Sequence, residues 1–159
     1  MEILGKHSRY FDVVTSACGT GATLAGLVLS MGPHQKAIGF SAVGEGSHLR
    51  KEVMTHLSWT LGNEEAAMEF ENYFKIEDQY DFGGFARTND ELIAFIQKFH
   101  QEHGIKLDPI YTGKMMFGLY ELIKKGRFVP GTRILAVHTG GLQGIKGIER
   151  RLGYSIFDQ

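Results

Sequence analysis

The chain has 159 residues, a formal net charge of −1 and a sequence pI of about 6.7. This length suits one globular domain that buries roughly 70% of its unfolded surface. The 17 basic residues are scattered and balanced by 18 acidic ones, so the charge pattern favours neither nucleic acid nor membrane as a partner. A single cysteine excludes an internal disulfide framework, and no apolar segment follows a basic start. These features predict a cytoplasmic protein that binds a small molecule.

Apolar runs and helical patterns alternate along the first half of the chain. Residues 1–9 have no clear period and form a lead-in. The apolar runs that follow are continuous enough for strands covered on both faces, which is typical of a parallel sheet. The predicted order is strand 10–17, helix 22–31, strand 36–43, helix 47–61, helix 64–72 and strand 73–77.

The second half predicts two longer helices and one more strand. Thr88 and Glu91 form a capping box that begins a helix ending near Gly104. A polar turn over 107–114 leads to the next helix, and residues 133–138 predict a third buried strand. The predicted buried face of the helix after the turn consists of Met116, Leu119, Tyr120 and Ile123.

This alternation predicts an α/β fold: an open, mostly parallel twisted sheet with helices on both faces, formed by one domain over residues 1–159. Ligands of such sheets bind at the carboxyl ends of the strands. The small-residue loops 18–23 and 139–144 each follow a predicted strand. We therefore expect both loops at one edge of the sheet, around a ligand.

The loop at 18–23 has the composition of a phosphate-binding loop. Gly19 and Gly21 let the backbone approach a ligand, Thr20 and Thr23 add hydroxyl groups, and the following helix directs its free N–H groups and positive dipole end into the loop. Leu24 breaks the dinucleotide fingerprint, and no Gly-Lys-Ser/Thr follows, so neither that fingerprint nor a P-loop is present. The residues alone predict a phosphate site of unnamed purpose.

Several other side chains have a functional and a packing interpretation. The hydroxyl groups of Tyr111 and Thr139 lie near the predicted loops and could face a ligand, although buried tyrosines are often packing residues. Cys18 lies where a helix dipole could lower its pKa, but a small buried packing role is favoured. His138 is interpreted as a packed strand residue. His100 lacks the partners that a metal site requires, so no metal is predicted.

Three blocks of sequence jointly resemble one enzyme family. They are Ala-Cys-Gly-Thr-Gly-Ala-Thr-Leu-Ala-Gly-Leu at 17–27, Leu-Asp-Pro-Ile-Tyr-Thr-Gly-Lys at 107–114 and Val-His-Thr-Gly-Gly-Leu-Gln-Gly at 137–144. In this order and spacing they resemble the 1-aminocyclopropane-1-carboxylate deaminase / D-cysteine desulfhydrase family, pyridoxal 5′-phosphate enzymes of the tryptophan-synthase-β fold type. The resemblance covers nearly the whole chain and implies the large-domain half of such an enzyme.

The resemblance also implies roles for individual residues. Thr112 or Thr139 would contact the pyridine nitrogen of the cofactor, and Tyr111 would lie beside the amino-acid substrate as the catalytic residue. The residues that it assigns to cofactor binding are Cys18, Gly19, Thr20, Gly21, Ala22, Thr23, Thr112, Thr139 and Gly140.

Departures from the family pattern favour its desulfhydrase-like branch. The ring-opening deaminases carry glutamate where this chain has Thr112 and leucine where it has Thr139. A hydroxyl beside the ring nitrogen favours a protonated pyridinium less than a carboxylate does, which suits β-elimination of a good leaving group. Phe85 occupies a loop where the family commonly carries an active-site tyrosine, and it could supply bulk but no proton.

The resemblance further implies that the Schiff-base lysine lies outside this sequence, because the family's lysine follows an asparagine well before the phosphate loop and no Asn-Lys pair occurs here. We expect a C-terminal half that is inactive alone, partnered by the missing N-terminal half and self-associating as a homo-oligomer. Lys114 is the only lysine near the predicted site. The alternatives are a non-catalytic α/β domain that binds a nucleotide or other phosphometabolite, and a pure interaction domain.

Overall fold

A computed structural model describes residues 10–157, so the predicted lead-in over 1–9 lies outside the described residues. The strands are β1 (Val13–Cys18), β2 (Lys36–Ser41), β3 (Phe74–Glu77) and β4 (Ile134–Val137). The helices are α1 (Ala22–Leu29), α2 (Gly46–Leu61), α3 (Glu64–Met68), α4 (Asp90–His103), α5 (Thr112–Lys124) and α6 (Ile145–Leu152), with 3₁₀ turns at Glu71–Tyr73 and Leu142–Gly144.

The four strands form one parallel sheet in the order β3-β2-β1-β4. Val13 lies between Lys36 of β2 and Ile134 of β4, which fixes the register on both sides of the central strand. Strands β1 and β2 are almost wholly buried, whereas every residue of β4 is only partly buried. The predicted open parallel α/β sheet is thus confirmed.

One face of the sheet is covered by α1, α2 and α3. Val14 and Cys18 of β1 point into this layer, where they meet Leu24 of α1 and Leu49 and Val53 of α2. Burial of each large apolar side chain stabilises the fold by about 1.5–3 kcal/mol. Because β1 and α1 both pack here, the loop that joins them is fixed at its two ends.

The opposite face is covered by α5, with α4 and α6 packed outside it. Gly118 of α5 sits against the ring of Phe40, where an added Cβ would lie 2.6 Å from a ring carbon. This close approach turns Met115, Leu119 and Leu122 towards the sheet, whereas Ile123 is 49% exposed. The predicted buried position of Ile123 was wrong because the missing side chain of Gly118 sets which face of the helix touches the sheet.

Two local predictions also need correction. Helix α4 begins at Asp90 because the side chain of Asn89 accepts a hydrogen bond from the Leu92 amide, so Thr88 is not its N-cap. The predicted helix 64–72 divides into α3 and a 3₁₀ turn that leads directly into β3. None of the helices within residues 10–157 combines the length and the apolar character needed to cross a membrane.

Candidate active site

The loop between β1 and α1 has a geometry that only glycine adopts easily. Gly21 is the N-cap of α1 with φ of 81°, and a Cβ there would lie 2.7 Å from Val53 Cγ2. No side chain caps the helix, and its first turn holds no acidic residue. Thr20, Ala22 and Thr23 are exposed. Gly19 and Thr20 line a cleft of about 350 Å³ together with residues 43–45, His48, Leu49 and Glu52. This end of α1 is therefore open to an anion.

Cys18 takes part in the loop through its backbone only. Its thiol is buried among Leu24 and Gly39 and donates to the carbonyl of Ser16. Burial raises the pKa of the Cys18 thiol to about 12, because the thiolate would lose its hydration. The packing interpretation of this side chain agrees with its surroundings, and the helix dipole does not lower its pKa.

A buried carboxylate shapes the turn before α5. Asp108 is fully buried, and its Oδ2 accepts hydrogen bonds from the amides of Ile110 and Tyr111, both at 2.8 Å. Its Oδ1 accepts from the Thr112 amide at 2.9 Å and from the Thr112 hydroxyl at 2.7 Å. The same hydroxyl accepts from the Asp108 amide. The Thr112 side chain is thus bonded within the turn, in both its donor and its acceptor roles.

Tyr111 joins loop 18–23 to a second glycine-containing loop, residues 81–87. Its ring packs on Gly19, where an added Cβ would lie 3.4 Å from a ring carbon and 3.6 Å from the hydroxyl oxygen. The ring of Phe85 meets it edge-on, with the centroids 6.1 Å apart. Phe85 is 60% exposed, so these two rings form a partly open wall beside Gly19.

The loop after β4 lies against the same turn. An added Cβ at Gly141 would be 3.1 Å from Asp108 Oδ1, so the loop backbone passes directly over the buried carboxylate. His138 accepts from the Gly140 amide at Nδ1, while its Nε2 lies 2.9 Å from the Lys106 carbonyl. His138 is exposed and ties two loops together, so its interpretation as a packed strand residue was wrong. Thr139 is exposed next to it.

Lys114 is buried instead of facing the site as a free amine. Its side chain is 1% exposed, and its Nζ donates to the carbonyls of Asp81 and Gly84 at 2.7 Å and of Ala42 at 3.3 Å. Burial lowers the pKa of Lys114 to about 8, although the nearby charges of Asp81 and Asp108 act in the opposite direction.

Four segments therefore meet at the carboxyl edge of the sheet: loop 18–23, loop 81–87, turn 108–112 and loop 138–144. The pattern of strand ends predicted the first and the last of these. Sequence reasoning missed Asp108, which organises the turn; an aspartate directly before a proline, bonded to the amide two residues on, is typical of turn initiation. The structural role of Lys114 left no signal in the sequence.

The comparisons with known proteins agree with this arrangement. Residues 1–140 match the family model described as pyridoxal-phosphate dependent enzyme, and the chain belongs to this family. Within it, the chain is 36% identical over 146 residues to a Pyrococcus horikoshii protein provisionally named 1-aminocyclopropane-1-carboxylate deaminase. The matched region covers 90% of this chain and 43% of that protein. It is 27% identical over 140 residues to the 1-aminocyclopropane-1-carboxylate deaminase of Pseudomonas syringae pv. tomato, covering 83% of this chain and 40% of that protein.

A solved structure supports the same relationship at the level of the fold. The crystal structure of an ACC deaminase homologue matches with a TM-score of 0.70 and 31% identity, covering 89% of this chain and 43% of that one. The chain thus spans about two fifths of the length of the relatives that it matches.

The residues present fit the phosphate end of pyridoxal phosphate, the cofactor of the family. A dianionic phosphate needs N–H donors and a nearby positive dipole, and the uncapped start of α1 offers both. It also needs close backbone approach, and neither Gly19 nor Gly21 places a side chain between its amide and a ligand. The exposed hydroxyl groups of Thr20 and Thr23 add two more donors at the same place.

Proposed function

We propose that this chain forms the phosphate-binding half of a pyridoxal-phosphate-dependent lyase or deaminase that acts on a small amino acid. The observation that carries the proposal is the uncapped start of α1, closed in by the Tyr111 ring and open to a cleft. Backbone amides of residues 19–23 and the hydroxyl groups of Thr20 and Thr23 would hold the phosphate. When bound, pyridoxal phosphate supplies an electron sink for charge that develops on the substrate.

For the ring nitrogen, the contacts favour Thr139 over Thr112. The Thr112 hydroxyl already donates to and accepts from Asp108. All four donors around the Asp108 carboxylate come from the turn itself, and this carboxylate is fully buried. Thr139 is exposed in the loop that passes over the turn. It would offer a neutral hydroxyl, which stabilises a protonated pyridinium less than a carboxylate does and so favours β-elimination from a substrate such as D-cysteine.

Tyr111 is the residue best placed to move a proton. Its backbone amide is fixed by Asp108, and its ring lies between Gly19 and Phe85. The hydroxyl oxygen would then face the space above the phosphate loop, where the substrate is proposed to lie. Phe85 would exclude water from this space and has no proton to give.

Activity is proposed to require a lysine from outside these 159 residues. The relatives are more than twice as long as the matched region. The amine of Lys114 is bonded to three carbonyls and is not placed to react with the cofactor. We propose that the remaining part of the enzyme is the partner of this chain, that the assembly is a homo-oligomer, and that it works in the cytoplasm.

A binding experiment tests the phosphate site without involving any covalent step. Pyridoxine 5′-phosphate and pyridoxine differ only in the phosphate, and neither has an aldehyde. Calorimetric titration should give at least tenfold tighter binding for the phosphorylated compound, and Gly19→Asp should remove this difference because the new carboxylate repels the anion. Gly147→Asp is the matched control, since an added Cβ at that exposed glycine in α6 meets nothing.

Equal affinity for the two compounds, or an unchanged difference in Gly19→Asp, would contradict the proposal. Tighter binding of a nucleoside monophosphate than of pyridoxine 5′-phosphate would favour the alternative, a nucleotide-binding domain. With pyridoxal phosphate and D-cysteine, the isolated chain should release no more sulfide than the cofactor alone. Ammonia release from 1-aminocyclopropane-1-carboxylate is expected to be equally low.

A further inference from the structure

We propose that Lys114 is a positioning residue whose buried ammonium group holds loop 81–87 at the start of α5 and thereby places Phe85 against Tyr111. The contact itself does not depend on the cofactor. Its importance for catalysis rests on the proposed function, because Tyr111 is the residue to which a proton-transfer role is assigned there.

The hydrogen bonds of Lys114 match the donors of an ammonium group in number. Three N–H donors meet three carbonyl acceptors, from Asp81, Gly84 and Ala42. Two of these acceptors belong to loop 81–87, and the third lies just after β2. Since the side chain is 1% exposed, water does not compete for these bonds. The lysine thus connects α5 to two segments that are distant in sequence.

The two loop carbonyls are the ones that close successive tight turns. The Asp81 carbonyl also accepts from the Gly84 amide, and the Gly84 carbonyl also accepts from the Arg87 amide, both at 3.1 Å. Within these turns Phe82 and Ala86 have φ of 53° and 55°, a backbone region that residues other than glycine rarely adopt. A loop with such backbone angles needs contacts from outside itself, and Lys114 supplies them to both turns.

Arg151 also binds this loop: its Nη2 donates to the Ala86 carbonyl at 2.6 Å from the exposed side. The charged groups facing Lys114 are Asp81 and Asp108, which favour its charged form, and Arg151, which opposes it. With the pKa lowered to about 8, the amine loses a proton at mildly alkaline pH. A neutral amine has two N–H donors and a lone pair, so one carbonyl would then face a lone pair.

The test uses Lys114→Met, which keeps the length of the side chain and removes every donor. Lys124→Met is the matched control, because Lys124 lies exposed on the same helix and pairs only with Glu121 in the described contacts. NMR spectra would report the nuclear Overhauser effect between the rings of Phe85 and Tyr111 and the exchange rates of the loop amides. At pH 6.5, Lys114→Met should lose the ring contact and exchange its loop amides at least tenfold faster, with α4 unchanged.

A pH titration gives a readout that a purely structural lysine would not produce. Between pH 6.5 and 9.5 the ring contact should weaken in the unaltered chain and in Lys124→Met, and it should be absent throughout in Lys114→Met. A ring contact that persists in folded Lys114→Met overturns the proposal. If Lys114→Met does not fold, Lys114→Gln takes its place, and a ring contact that persists in that folded variant overturns the proposal. If the unaltered chain shows the ring contact but does not bind pyridoxine 5′-phosphate, this result would count against the proposed function alone.

Discussion

Replacing Gly21 by alanine tests whether loop 18–23 depends on two features of this residue, its left-handed backbone and its close packing against α2. The left-handed backbone at φ of 81° costs a residue with a Cβ about 1–2 kcal/mol. The new methyl group would lie 2.7 Å from Val53 Cγ2 and 3.2 Å from Leu49 Cδ1, and overpacking of this kind costs about 1–3 kcal/mol. We expect the free energy of unfolding to fall by about 2–5 kcal/mol. For a chain of this size the melting temperature should drop by roughly 4–20 °C.

Gly26→Ala provides a control of opposite sign in the same helix. Gly26 is exposed within α1, and an added Cβ there has no neighbour within 4 Å. Alanine should stabilise the chain by about 0.5–1 kcal/mol because it lowers the entropy of the unfolded chain. Both variants would be measured by urea denaturation followed by circular dichroism. A Gly21→Ala variant as stable as the unaltered chain would refute the reasoning, and so would a Gly26→Ala variant that is less stable.

Three further predictions concern the site and its surroundings. Asp108→Asn should lower the free energy of unfolding by about 2–4 kcal/mol in urea titrations, since an amide nitrogen would face N–H donors that now share a carboxylate; a loss under 1 kcal/mol would contradict the role of this turn. Cys18 should resist iodoacetamide at pH 8.5 in the folded chain and react in guanidinium. Because burial raises the pKa of the folded thiol to about 12, its contribution to stability should be complete below pH 9 and fall between pH 9 and 12. Cys18→Ala should remove this pH dependence. Thr139→Val should weaken the binding of pyridoxine 5′-phosphate by about two- to tenfold, the value of one hydrogen bond, while Thr132→Val in an exposed turn leaves it unchanged.

Sequence patterns predicted the fold well because burial leaves a local signal. A strand covered on both faces is a near-continuous run of apolar and small residues, as β1 and β2 are, and an amphipathic helix repeats its apolar residues at a fixed spacing. The face of α5 could not be predicted in this way. It depends on contact between Gly118 and Phe40, two residues 78 positions apart, and glycine adds nothing to a hydrophobic pattern.

In the candidate site, too, features with a local sequence signal could be predicted and features set by long-range contacts could not. Loop 18–23 could be predicted because glycine spacing, the preceding strand and the following helix all lie within one short stretch. The environments of Thr112 and Lys114 could not, because a hydroxyl or an amine has the same identity in a sequence whether it meets a ligand or a buried carbonyl. Asp108 satisfies Thr112, and loop 81–87 satisfies Lys114. Only the folded chain shows which polar groups already have partners.

The central position of β1 has a consequence for how the chain is made. Asp12, next to β1, pairs with Arg133 at the start of β4, and 121 positions separate them. At a synthesis rate of about 5–20 residues per second, roughly 6–24 s pass between the appearance of these two partners on the ribosome. During this interval one edge of β1 has no neighbouring strand and can pair with another nascent chain. The yield of correctly folded protein should therefore depend on chaperone supply and growth temperature during expression.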